Sequence, residues 1–115
     1  MERLIHHAIH RCTACLVAVW IVTSTAQAVD YLREVKPLLK RRCFSCHGAL
    51  KQKSKLRVDT AALMRKGGSE GPAIIPGDGS GSYLIEQLTA DGDERMPPKG
   101  NPLNAGELKA LREWI

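Results

Sequence analysis

The chain has 115 residues, with 17 Lys and Arg against 12 Asp and Glu, a formal net charge of +5 and only 4% aromatic residues. That length holds one small domain and is too short for two. A basic chain with so few aromatics has little with which to stack bases, which argues against a nucleic-acid module.

The first element in chain order is a leader. Arg3 and Arg11 lie among histidines in residues 1–11, an uncharged and mostly apolar run, CTACLVAVWIV, fills 12–22, and TSTAQA follows with Ala26 and Ala28 spaced as A-x-A. This is the layout of a secretory signal peptide over 1–28, cleaved after Ala28. The apolar run falls short of the about 20 residues that a membrane span needs. An uncleaved anchor is the alternative, and the only route by which a membrane enters. Cys12 and Cys15 sit inside the run and leave with it. The domain is then 29–115, extracytoplasmic (periplasmic or secreted), with Tyr31, Phe44, Tyr83 and Trp114 as its aromatics. A chain of that size buries a limited core and often gains stability from a disulfide, a metal or a cofactor.

VDYLREVKPLLKRRC (29–43) places apolar residues at 32, 35, 38 and 39, a helical spacing. Asp30 is its expected N-cap, and Pro37 marks a kink or a late start. The helix leads into CFSCH at 43–47. Three chemistries use C-x-x-C. Zinc needs four ligands, and residues 29–115 offer only Cys43, Cys46 and His47 among cysteines and histidines. A thioredoxin-like dithiol wants a βαβ context, and no alternating strand pattern precedes this motif. C-x-x-C-H also reads as covalent attachment of a c-type haem. Cys43 and Cys46 then add to the haem vinyl groups as thioethers, and His47 stands beneath the iron as its proximal ligand. The export signal agrees, because bacterial c-type haem is attached outside the cytoplasm.

No second histidine follows the leader, so methionine is the next common axial ligand. Met64 sits in DTAALMRKGG, a short helix started by Asp59 and stopped by Gly67 and Gly68, where a methionine is more often core filler. Met96 sits in ERMPPKG, where two prolines fix the backbone behind it. Met96 is the preferred sixth ligand, with Met64, Lys99 or an open position as alternatives.

Of the remaining segments, KSKLRVD reads as an extended connector. GGSEGPAIIPGDGSGS (67–82) is loop, and its AII packs inward. SYLIEQLTA (82–90) is a short helix with Leu84, Ile85 and Leu88 on its apolar face. PLNAGELKALREWI carries the clearest helix: Asn104 and Glu107 form a capping box, Leu103 and Leu108 a hydrophobic staple, and Leu108, Leu111 and Ile115 line one face. The sequence stops in mid-helix without a C-cap, which suggests a fragment of a longer protein.

VDYLREVKPLLKRRCFSCHG, KLRVDTAALMRKGGSEGPAIIPGDGSGSYLIEQL and RMPPKGNPLNAGELKALREWI, taken in that order, resemble the planctomycete-type cytochrome c domain across essentially all of 29–115. The resemblance implies an all-α fold, similar to class I cytochromes c, wrapped around one covalently bound haem c. It implies Cys43 and Cys46 as thioether positions and His47 and Met96 as axial ligands. It also implies a place in far longer secreted proteins, so that a fused domain in cis is one expected electron partner. The departure is PGDGSGS, where the family more often has a charged residue before the serine, a change expected to stay on the surface.

Eight basic residues and no acidic one lie between Lys36 and Arg57. This belt flanks the attachment motif and suits either an acidic redox partner or a solvated face that offsets the haem propionates. The functional expectation is an exported electron-transfer module, not an enzyme. The alternatives are an open-site haem enzyme or sensor, and a zinc or thiol protein built on Cys43, Cys46 and His47.

Overall fold

The computed structural model describes residues 27–115. The leader read over 1–28, with Cys12 and Cys15, lies outside them except for the exposed Gln27 and Ala28. The described residues form an all-α domain: α1 (Lys36–Arg42), α2 (Phe44–His47), α3 (Ala61–Lys66), α4 (Tyr83–Thr89) and α5 (Ala105–Trp114), with no strand among them.

The chain enters α1 through a π-helical turn, Tyr31–Val35, with Asp30 as N-cap accepting from Arg33 N. Proline explains the wide turn. Pro37 has no N–H, and its ring would collide with the Arg33 carbonyl in a regular helix, so the chain opens by one residue ahead of it. The turn also shifts the phase of the apolar face. Val35, Leu38 and Leu39 are buried as their spacing predicts, whereas Leu32 is 67% exposed. The half-buried Val29 and Tyr31 pack against the core instead.

The start of α3 also differs from expectation. Thr60, not Asp59, is its N-cap and accepts from Leu63 N at 3.2 Å. Asp59 is taken up by a two-pronged pair with Arg57. The end of α3 is as expected, at Gly67 with φ +75°, a conformation that favours glycine. In α5 the capping box is complete: Glu107 N donates to Asn104 Oδ1 at 2.9 Å, and Asn104 N to Glu107 Oε2 at 3.0 Å.

The core joins Val35, Leu38 and Leu39 of α1 to Met64 of α3, to Leu84, Ile85 and Leu88 of α4, and to Leu103 and Leu111. Tyr31 stacks on Trp114 with ring centroids 5.0 Å apart. Of AII, Ala73 and Ile74 are buried and Ile75 is 48% exposed. The PGDGSGS segment is not all surface. Ser82 is fully buried, donating to Asp78 O and accepting from Ile75 N. Gly79 lies so close to the Arg112 carbonyl of α5 that a Cβ would collide with it.

Candidate haem-binding site

Cys43 ends α1, its N–H bonded to Leu39 O, and its φ of −129° breaks the helix direction before α2 begins. One turn later Cys46 N and His47 N both donate to Cys43 O, at 3.1 and 2.9 Å. Cys43, Cys46 and His47 thus share a single turn of backbone. Both cysteines are half-buried and free of any disulfide. Burial pushes the Cys43 thiol up to about 11, only partly offset by the neighbouring Arg42 charge.

His47 is held from three sides. Val58 N donates to its carbonyl at 2.9 Å, Gln52 pairs with it as an isolated antiparallel bridge, and its ring Nδ1 lies 3.1 Å from Lys53 O. A carbonyl only accepts, so Nδ1 carries a proton toward it, and in the neutral imidazole Nε2 is then the nitrogen with the lone pair. That is the tautomer a metal-ligating imidazole needs. Sequence reasoning did not find the Lys53 acceptor. The segment read as an extended connector is a 3-10 turn, Lys53–Lys55, with Ser54 and Lys55 at φ +52° and +58°. A main-chain acceptor leaves no mark in residue type, and neither serine nor lysine announces a left-handed turn.

Met96 lies on a strap that follows a second 3-10 turn, Gly92–Glu94. Met96 N donates to Gln87 O of α4 at 2.8 Å, and the half-buried residue packs against the core. The far end of the strap is tied to α1, where an Arg42 guanidinium nitrogen donates to Asn101 O. The strap is thus anchored to α4 behind the methionine and to the residue just before Cys43. Arg42 Nε and Arg95 Nε, near its two anchors, are buried without a hydrogen-bond partner among the described residues. Such orphaned donors suit a cofactor that carries carboxylates. Met64, by contrast, is fully buried in the core. Lys99 is exposed.

Two free thiols and an imidazole whose Nδ1 faces a carbonyl, all within one helical turn, fit a thioether-linked haem with one nitrogen ligand. Among the described residues, no three His, Cys, Asp or Glu side chains are arranged to hold a metal ion, so Cys43, Cys46 and His47 do not close on one point. Nor is any described helix long and apolar enough to cross a membrane. No curated protein and no solved structure matches the chain. The model of one family, planctomycete cytochrome C, matches residues 43–100, from the first cysteine of the attachment motif through the Met–Pro–Pro strap. Matched over just more than half its length, the chain belongs to the planctomycete cytochrome C family.

Proposed function

We propose that this chain is an exported electron-carrier module holding one haem c through thioethers at Cys43 and Cys46, with His47 and Met96 as the axial ligands. When bound, the haem supplies the iron that cycles between ferrous and ferric. The chain's own residues do the rest. Cys43 and Cys46 present their sulfurs from one helical turn, His47 offers Nε2 because Lys53 O holds its other nitrogen, and the Met96 strap is pinned at both ends. Two anchors limit how far the main chain at Met96 can move, which favours one ligand geometry in both oxidation states. The observation that carries this reading is the Lys53 carbonyl against His47 Nδ1, in a turn that also holds two unpaired thiols. Export rests on the composition of residues 1–28. The partner is an acidic redox protein, as the belt from Lys36 to Arg57 with no acidic residue suits, or a domain fused in cis, as the family resemblance implies.

The test is the visible spectrum of residues 29–115 expressed with a c-type maturation system, oxidised and reduced, before and after carbon monoxide. Sharp low-spin bands unmoved by carbon monoxide are expected, with Met96→Ala opening the sixth position to the gas. Wild-type bands that shift with carbon monoxide would replace the carrier by an open-site haem enzyme or sensor. Absence of covalent haem would overturn both.

A further inference from the structure

The Lys53–Lys55 turn is unusual for an exposed connector, because two consecutive residues other than glycine, Ser54 and Lys55, hold left-handed conformations. Such conformations persist where surrounding contacts enforce them. Here the enforcing contacts come from another part of the chain. Ser69 N donates to Ser54 O at 2.8 Å, and Ser69 Oγ donates to the same oxygen at 3.1 Å. Gly68 packs so tightly that a Cβ would collide with Ser54 O and press on Leu56. The 68–71 loop closes on itself through bonds between Gly68 and Gly71 in both directions. The hollow beside it, lined in part by Ser54, Leu56, Gly68 and Ser69, measures about 30 Å³, room for little more than water. The region is therefore a brace and not a ligand pocket.

We infer that Gly68 and Ser69 are positioning residues for His47, acting through the left-handed Ser54–Lys55 turn to hold the Lys53 carbonyl on the imidazole Nδ1–H. The inference rests on the haem reading for its electronic consequence. A firm Nδ1–H···O bond makes the imidazole a better electron donor at Nε2, which favours ferric iron. Loosening the brace weakens that donation, so the reduction potential rises. The brace comes from a loop fifteen residues further along the chain and touches no ligand directly.

The experiment compares haem-loaded wild type with Gly68→Ala, Ser69→Ala and Ser69→Thr, together with Gly79→Ala as a packing control. Gly79 meets the Arg112 carbonyl as closely as Gly68 meets Ser54, but its neighbours play no part in holding His47. Gly68→Ala and Ser69→Ala are expected to raise the potential, the first more than the second because Ser69 N still donates in the serine variant. Ser69→Thr keeps the hydroxyl and should restore the wild-type value. Gly79→Ala should lower thermal stability and leave the potential where it was. Equal potentials in all five proteins, or a shift in Gly79→Ala matching that of Gly68→Ala, would refute the inference. Should the chain take up no haem, the proposed function fails, and the brace is read instead from exchange of the His47 ring N–H by NMR. Gly68→Ala should then speed that exchange by about tenfold, the ratio expected for loss of one hydrogen bond. No change in exchange would refute the brace on its own terms.

Discussion

Asp59 accepts two hydrogen bonds from Arg57, and this holds its carboxyl below the usual carboxylate range. A carboxyl whose folded value is depressed stabilises the fold fully above its unfolded value, about 3.9, and ceases to do so as the pH falls through the folded value. Asp59→Asn should therefore be less stable than wild type near pH 7, and the gap should close as the pH drops below about 4. Urea unfolding of both proteins across that range checks this. A gap that persists at pH 2 would mean that Asp59 acts by packing and not by charge. Tyr31 illustrates the opposite influence, since burial and the nearby Asp59 charge both raise its hydroxyl. That Cys43, Cys46 and His47 share one turn was legible at this scale, because it follows from their spacing. Lys53 was not, because its contribution is a carbonyl that every residue possesses.

Helices announce themselves to the extent that their signals are local. The capping box of α5 was readable from Asn104 and Glu107 alone, since both hydrogen bonds span three residues. Asn104→Ala should lower stability by about 1 kcal/mol, while Asn104→Ser should retain most of it. The check is a shift in the denaturant midpoint at constant slope. The opening of α1 was harder to read. A proline signals a disturbance, but not whether the chain kinks, starts late or widens. Here it widens, and Leu32 loses its place on the buried face while Val29 and Tyr31 take up the packing. Thr60 displaced Asp59 as the cap of α3 for a similar reason: Asp59 has a competing partner in Arg57, and no helix signal reveals that.

For the molecule as a whole, charge is distributed unevenly along the chain. Lys36, Lys40, Arg41, Lys51, Lys53 and Lys55 are exposed around the attachment motif, whereas Asp91, Asp93 and Glu94 are exposed just ahead of the Met96 strap. Opposite charge on a partner would steer association, and salt would weaken that steering. Electron transfer from an acidic flavodoxin, used as probe, should slow by roughly tenfold or more as the Debye length falls from about 30 to about 8 Å. Lys40→Glu with Lys51→Glu should flatten that dependence. A rate indifferent to salt would remove the acidic partner from the proposal. The all-α fold was legible because apolar residues recur at helical spacing in the segments of α1, α4 and α5. The ties that hold the strap, Met96 to Gln87 and Arg42 to Asn101, were not, since they run through main-chain oxygens that residue type does not mark.

The Tyr31–Trp114 stack brings the first helical turn and the last helix among the described residues within one ring spacing of each other. A polypeptide entering at the π-helical turn and leaving at the end of α5 would pass through neighbouring points on the surface. Such a unit can be spliced into a loop of another protein with little disturbance to the host, or rejoined end to end and opened elsewhere. The exposed Gly92 turn, at φ +62° with nothing crowding its α-carbon, offers one place for the new ends.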